Sequence, residues 1–119
     1  MKIFHSIIVV LVLLNYSGVI AQCGTTGETL FIETQEDIND IMLCDSIFGS
    51  LSISNWNISS LDSLSNLSYI EEDFILSDNT SLLNVEGLGN LHFIGGDLIL
   101  QNNFTLQYLD GLDNLSYVG

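Results

Sequence analysis

Apolar and polar residues alternate in three short segments of the chain, GSLSIS at 49–54, EDFILS at 72–77 and GDLILQ at 96–101. Alternation is typical of a β-strand with one buried face, because successive side chains of a strand point to opposite sides of the sheet. Each segment is therefore predicted to be a strand with two apolar side chains directed inward. Between these segments, apolar residues spaced three apart with Gly, Asn and Ser among them indicate a tight coil that returns to the next strand.

The three segments belong to copies of one repeat. A step of 24 residues relates ten positions of the second copy to the third: Phe74 to Leu98, Leu76 to Leu100, Asn79 to Asn103, Leu82 to Leu106, Val85 to Leu109, Gly87 to Gly111, Leu88 to Leu112, Asn90 to Asn114, Leu91 to Leu115 and Ile94 to Val118. The first copy begins at Gly49 and has a one-residue deletion. Such a unit cannot bury its own apolar side, so the copies must stack with their strands in a parallel sheet. In the third copy the residues predicted to fill the core are Leu98, Leu100, Leu106, Leu109 and Leu112.

The segment before the repeats is predicted to contain one strand and one helix. TLFIE at 29–33 indicates the strand. TQEDINDIML at 34–43 indicates the helix, with Thr34 as N-cap, acidic residues in the first turn and an apolar stripe of Ile38, Ile41 and Met42. A repeat stack needs a terminal unit that is polar outside. We therefore expect an N-terminal cap over residues 22–48, followed by three repeat copies over residues 49–119, the last of them incomplete.

Residues 1–21 have the layout of a secretory signal peptide. Lys2 gives the positive start, and an apolar run of eight residues ends at Leu14. Val19 and Ala21 are the small residues of a cleavage site, which predicts cutting between Ala21 and Gln22. The alternative, an uncleaved membrane anchor, is disfavoured because a span needs about 20 apolar residues.

Once residues 1–21 are removed, the chain contains fifteen Asp and Glu and no Lys or Arg. Nucleic acid is not expected as a partner, because phosphate binding depends on basic side chains that displace counterions. Anionic membrane surfaces are disfavoured for the same reason. Contact with a membrane is expected only through a domain outside this chain.

Cys23 and Cys44 are the two cysteines of the chain and have only each other as partners. Disulfides persist in the oxidising compartments that a secretory signal implies. A Cys23–Cys44 disulfide is therefore predicted, with two free thiols as the alternative.

The recurring pattern LxxIxxDLxLxxNxxLxxLxGLxNLxxVG resembles the receptor L-domain, the leucine-rich-repeat-like module of the insulin and epidermal growth factor receptor ectodomains. It is more similar still to repeats of secreted and surface proteins of Bacteroidetes-type bacteria, in which a C…TQ…C opening precedes copies of L.GL.NL..VGGDL.I..N. The resemblance covers about residues 23–119. It implies an α/β fold, a leucine-rich-repeat-like right-handed single-stranded β-solenoid with repeats of about 24 residues, here with a disulfide-closed N-terminal cap. It also implies an extracellular location and a binding role, without indicating the ligand.

Two departures from the family pattern affect this interpretation. Ile94 and Leu98 are four positions apart, whereas ordinary leucine-rich repeats have three, which favours the L-domain over the horseshoe type. The chain also stops at Gly119, which corresponds to Gly95 just before a strand. A fragment of a longer protein is therefore expected.

After residue 21, five asparagines stand in Asn-X-Ser/Thr sequons, the acceptor pattern for N-glycans in a eukaryotic secreted chain: Asn57, Asn66, Asn79, Asn103 and Asn114. Asn79 and Asn103 occupy the position at which leucine-rich repeats have an inward asparagine bonded to the turning backbone. Asn66, Asn90 and Asn114 are predicted to form a second row of the same kind. Because a buried, bonded amide cannot carry a sugar, we expect structural roles for these residues and leave Asn57 as the candidate glycosylation site, if the source is eukaryotic.

Acidic residues also recur with the repeat. Asp62, Glu86 and Asp110 are 24 apart, as are Asp73 and Asp97. They are interpreted as solvated surface acids, since exposed charges interact weakly in water. Weak Ca²⁺ binding by Asp62, Glu86 and Asp110 is the alternative, because hard cations prefer carboxylate oxygens, although no recognised calcium loop is present.

The outward positions of the predicted strands form the candidate ligand face: Asp73, Ile75, Asp97, Ile99 and Gln101. Ile75 and Ile99 would make a small apolar area flanked by acids. The resemblance implies that ligand meets this face, whereas ordinary cross-strand pairing is the simpler interpretation of the two isoleucines.

Catalysis finds little support in the sequence. His92 is the one histidine after residue 21 and has no repeat counterpart, and no serine has a base partner for a triad. No cofactor is expected, and the chain is not expected to be an enzyme. The sequence favours a secreted or surface-displayed module that binds an extracellular protein or glycan. The alternative is a structural spacer or adhesin stalk without a specific ligand.

Overall fold

The computed structural model describes residues 10–11 and 21–119. Most of the predicted signal peptide lies outside these residues, so its cleavage stays a prediction. The described elements, in chain order, are β1 (Val10–Leu11), β2 (Ala21–Ile32), α1 (Gln35–Asp40), β3 (Ser46–Ile53), β4 (Tyr69–Ile70), β5 (Phe74–Ser77), β6 (Phe93–Ile94), β7 (Leu98–Gln101) and β8 (Tyr117–Val118). Short 3-10 helices cover Asp62–Leu64, Glu86–Leu88 and Asp110–Leu112.

The strands after β1 pair in parallel and form two ladders. The long ladder joins residues 29–32 of β2, residues 50–53 of β3, β5 and β7. The short ladder joins residues 22–24 of β2, residues 46–48 of β3, β4, β6 and β8. β1 adds an antiparallel pair at the start of β2.

The sequence predicted the strands of the long ladder and took the other segments for coil. The two ladders are separated by a bend, which in β3 occurs at Gly49 with a φ of 80°. A Cβ at this position would lie 2.2 Å from the carbonyl oxygen of Glu28, so both the backbone angle and the close packing favour glycine.

The pairing register follows the spacing of similar residues in the sequence. Between β5 and β7 the partners are 24 positions apart, as for Ile75 and Ile99. Between β3 and β5 they are 23 apart, as for Leu51 and Phe74. The shorter step corresponds to the deletion seen in the sequence.

The apolar core lies between the sheet and the 3-10 helices. Its buried residues include Leu51 and Phe74 from the strands, and Leu64 and Leu88 from the 3-10 helices. The backbones of neighbouring 3-10 helices approach closely at Gly87, where a Cβ would lie 1.9 Å from the Leu61 carbonyl oxygen. Only glycine fits there without moving the backbone.

Helix α1 confirms the predicted N-cap. The Thr34 hydroxyl accepts a hydrogen bond from the Asp37 N–H, and the Asp37 carboxylate accepts from the Thr34 N–H, which completes a capping box. Ile38 and Ile41 are buried as predicted, but Met42 is 50% exposed. The predicted burial of Met42 is wrong because the helix ends at Asp40, so residue 42 no longer follows helical spacing.

The predicted disulfide is confirmed. Cys23 and Cys44 are bonded, with their Cα atoms 5.9 Å apart, and both are buried in the core. The bond joins β2 of the sheet to the turn that follows α1. It therefore fixes the helix against the first parallel strands.

The five leucines predicted to fill the core in the third copy do so only in part. Leu98, Leu106 and Leu112 are partly buried against the core, whereas Leu100 and Leu109 are 39% and 47% exposed. In the described residues β7 pairs with β5 alone, so no further strand covers the other side of these leucines. Leu100, Leu106 and Leu109 instead line a shallow open groove.

Candidate ligand-binding face

The outer face of the long ladder carries a row of outward side chains across four strands; three of them are apolar, and Ser52 is polar and 8% exposed. Phe31 pairs with Ser52, Ser52 with Ile75, and Ile75 with Ile99. Phe31 is 63% and Ile99 37% exposed, and Ile75 is half-buried. Neighbouring strands are about 4.8 Å apart, so these side chains form one row, which we call the outer apolar row.

A polar row lies beside the outer apolar row, two positions earlier in the chain, on β3 or directly before β5 and β7. Ser50 is buried, Asp73 is half-buried and Asp97 is exposed. The Asp73 N–H donates to the Ser50 hydroxyl (3.2 Å), and the Asp97 N–H donates to Oδ1 of Asp73 (2.8 Å). Each side chain thus binds the backbone of the next strand, which fixes the Asp73 carboxylate relative to the sheet.

The structure brings together all five residues of the candidate ligand face. They lie on β5 and β7 or directly before these strands, with Ile75 opposite Ile99 and Gln101 opposite Ser77. Gln101 is exposed at the far edge of the face. Whether a ligand contacts these residues stays a prediction.

Phe31 is the member of this face that sequence reasoning missed. It is the most exposed side chain of the outer apolar row, and it lies outside the three repeat copies. The signal was present in TLFIE, because Leu30 and Ile32 alternate with Phe31 and therefore predict that Phe31 points outward.

A second outward row, also missed, follows the short ladder. The rings of Tyr69 and Phe93 stack with centroids 4.9 Å apart, and those of Phe93 and Tyr117 with centroids 4.8 Å apart. Phe48 extends the row with a tilted contact at 6.4 Å. Spacing by 24 in Tyr69, Phe93 and Tyr117 could have revealed it. Because the ring faces cover one another, the row stabilises the sheet and offers few free faces to a ligand.

Two further acidic residues, Glu71 and Glu72, accept hydrogen bonds at the bend between the ladders. Oε2 of Glu71 accepts from the Thr26 hydroxyl (2.7 Å) and from the Gly49 N–H (2.8 Å). Glu72 accepts from the Gly27 N–H (2.9 Å) and the Ser50 hydroxyl (3.2 Å). These carboxylates therefore bind backbone N–H and hydroxyl donors of earlier strands. They differ from Asp97, whose carboxylate accepts no hydrogen bond from the described part of the chain.

Asn79 makes the backbone hydrogen bonds that its predicted structural role requires. It is fully buried, its Nδ2 donates to the Ile53 carbonyl (2.9 Å), and its Oδ1 accepts from the Asn55 N–H (2.9 Å). Asn103 repeats the arrangement one strand later, where its Nδ2 donates to the Leu76 carbonyl (2.7 Å). A glycan on Asn79 is incompatible with this burial.

The second asparagine row differs from the prediction. The Nδ2 groups of Asn66, Asn90 and Asn114 each donate to a backbone carbonyl about one repeat earlier, but all three residues are exposed. They lie on the surface just after the 3-10 helices rather than inside the core. Asn57 is also exposed, and its glycosylation stays a prediction.

The candidate calcium residues are exposed and lie at the starts of the 3-10 helices: Asp62, Glu86 and Asp110. In residues 10–11 and 21–119, no group of three or more His, Cys, Asp or Glu side chains is arranged to hold a metal ion. The calcium hypothesis therefore has no geometric support here and stays untested.

His92 is exposed, and its carbonyl oxygen accepts from the Ser116 N–H (2.9 Å). Among the described residues, no helix has the length and apolar character needed to cross a membrane.

Comparison with known proteins gave one family. The family model described as Receptor L domain matches residues 22–86, which is more than half of the 119 residues. The matched region runs from β2 to the start of the second 3-10 helix and includes Phe31, Asp73 and Ile75. Neither curated proteins nor solved structures gave a match.

Proposed function

Because the chain belongs to the receptor L domain family, we propose that it is a non-catalytic binding module whose outer apolar row contacts an extracellular protein. Receptor L domains are ligand-binding modules of receptors, which supports binding rather than catalysis as the general role. The ligands of these domains are proteins, which supports a protein over a glycan as partner.

The observation that supports this proposal most directly is the exposure of apolar side chains on the outer face of the long ladder. Parallel sheets are usually covered on both faces, because the connections that join parallel strands lie against them. Here Phe31 and Ile99 stand on the outer face and are 63% and 37% exposed. A protein surface that covered the row would remove this apolar area from water, at about 25 cal/mol per Å².

The location that we propose is extracellular. The family and the Cys23–Cys44 disulfide both favour an oxidising, extracytoplasmic compartment. We also propose that residues 1–21 are a signal peptide cleaved after Ala21. A protein arriving at the cell surface or in the medium would then begin at Gln22.

For the architecture, we propose that residues 49–119 form consecutive turns of a right-handed solenoid behind a cap of residues 22–48. Support comes from the parallel pairing of residues 24 apart in both ladders, as between β5 and β7 and between β4 and β6. The bonds of Asn79 and Asn103 to the preceding strands add to this support.

A binding screen with a paired control tests the function. Purified residues 22–119 would be screened against arrays of secreted proteins and of glycans. Ile75→Asp with Ile99→Asp is expected to abolish binding of any protein found, because it places two charges in the outer apolar row. Met42→Asp with Leu83→Asp is the control, since both residues are about half exposed and lie away from the row.

Circular dichroism of each variant would confirm that it is folded. Unchanged binding by the folded Ile75 and Ile99 variant would rule out the outer apolar row as the binding surface. If no saturable partner is found among proteins or glycans, the structural spacer becomes the better interpretation.

A further inference from the structure

We infer that the partner of the outer apolar row is a cationic protein segment, in which apolar side chains are flanked by lysine or arginine. This inference rests on the proposed function and specifies the chemistry of the ligand. It assigns the hydrophobic contact to Phe31, Ile75 and Ile99. It assigns the contact with the partner's basic groups to Asp73 and Asp97.

The position of the two aspartates relative to the apolar row supports this assignment. Asp73 and Asp97 directly precede β5 and β7, and each stands two positions before its isoleucine, which is about 7 Å of extended chain. An extended partner segment has the same spacing between alternate side chains. It can therefore place an apolar residue on the isoleucines and a basic residue beside the aspartates.

The two carboxylates are suited to a cation from outside the chain. Oδ1 of Asp73 accepts the Asp97 N–H at 2.8 Å, which orients this carboxylate before any partner arrives. Asp97 is exposed. Residues 22–119 contain no Lys or Arg, so neither acid can pair with a lysine or arginine of these residues. A lysine or arginine of a partner would therefore meet no competing lysine or arginine.

Charge also argues against a second copy of this chain, or an acidic protein, as the partner of this face. All fifteen acidic residues of the chain lie after residue 21, so two copies would meet with charges of the same sign. An acidic partner would be repelled for the same reason. Complementary potentials favour a basic partner and increase its rate of association.

Three synthetic peptides can test the inference without knowledge of the natural ligand. Each has the same central Leu-Ile-Leu segment, flanked on both sides by lysines, by serines or by glutamates. Binding to residues 22–119 would be measured by fluorescence anisotropy at low and physiological salt. We expect the lysine peptide to bind about tenfold more tightly than the serine peptide, the glutamate peptide not to bind, and added salt to weaken only the lysine peptide.

Two double variants that each remove two negative charges show whether binding of the lysine peptide depends on Asp73 and Asp97 in particular. Asp73→Asn with Asp97→Asn is expected to weaken the lysine peptide about three- to tenfold and leave the serine peptide unchanged, because rim charge pairs contribute modestly. Glu86→Gln with Asp110→Asn changes the net charge equally, and both of its residues are exposed on the 3-10 helices. This control is expected to change the affinity less than twofold.

The outcomes separate the inference from the proposed function. Equal affinity for the lysine and serine peptides would overturn the inference that the partner is cationic. Equal weakening by both double variants would also overturn it, because it would indicate general attraction of a cation to an acidic protein. Ile75→Asp with Ile99→Asp tests the face itself. If that folded variant binds the peptides as the wild type does, the proposed binding surface is wrong as well.

Discussion

Asn79→Ala should destabilise the fold far more than the same change at an exposed asparagine. The Asn79 side chain bridges two backbone groups, because its Nδ2 donates to the Ile53 carbonyl at 2.9 Å and its Oδ1 accepts from the Asn55 N–H at 2.9 Å. The residue is fully buried, so water cannot readily replace these bonds. Each buried group left without a partner costs about 1–3 kcal/mol, and the two together should cost about 2–4 kcal/mol, since Asn55 is only half-buried.

Asn90→Ala is the matched control. Its Nδ2 also donates to a backbone carbonyl, that of Ser65, but the side chain is exposed. Water can take its place, so we expect a loss of about 1 kcal/mol or less.

Urea denaturation of residues 22–119, followed by far-ultraviolet circular dichroism, measures both losses. With a urea dependence of about 1–3 kcal/mol per M, Asn79→Ala should lower the midpoint by about 1–4 M. Asn79→Asp keeps the shape and removes the donor, so it should be at least as damaging and separates the lost hydrogen bonds from the lost volume. Equal midpoints for Asn79→Ala and Asn90→Ala would refute the reasoning.

Three further predictions concern stability. Reducing the Cys23–Cys44 disulfide, which closes a sequence separation of 21 residues, should lower the free energy of unfolding by about 3 kcal/mol, measured by urea denaturation with and without reductant. Gly87→Ala should destabilise the fold because its Cβ would lie 1.9 Å from the Leu61 carbonyl oxygen, whereas Gly89→Ala, whose nearest contact would be at 3.4 Å, should be tolerated; similar urea midpoints for the two would contradict the proposed backbone contact. The melting temperature should be the same in millimolar Ca²⁺ and in EDTA, and a rise of several degrees in Ca²⁺ would instead support the calcium hypothesis.

The features that could be predicted from the sequence depend on local chemistry or on regular spacing. The Thr34 N-cap is local, because a hydroxyl three positions before an acid completes the capping box without help from the rest of the fold. The adjacency of Ile75 and Ile99 followed from alternation within each strand and from the step of 24 residues between them. The disulfide followed from the two cysteines together with the oxidising compartment that a secretory signal implies.

Other features could not be predicted from the sequence because they depend on short elements or on residues distant in the chain. β4, β6 and β8 contain two residues each, which is too few to show alternation. The roles of Glu71 and Glu72 are set by donors of residues 26–27 and 49–50, which the sequence does not place beside them. The end of α1 was missed because Ile41 and Met42 continue the apolar pattern beyond the last helical residue.

The positions that differ between neighbouring strands are the ones most informative about a ligand. Inward residues such as Leu51, Phe74 and Leu98 have to be apolar whatever the protein binds, because each packs in the same core. The outer apolar row has no such constraint, yet Phe31 and Ser52 stand beside Ile75, so a large, a small and a branched side chain follow one another across the sheet. Cross-strand pairing alone needs no such unequal sizes. Exposure decides which of these side chains a partner can reach, since Phe31 is 63% exposed whereas Ser52 is 8% exposed. If the proposed face is correct, Phe31→Ala should therefore weaken binding of the lysine peptide, measured by fluorescence anisotropy, more than Ser52→Ala does.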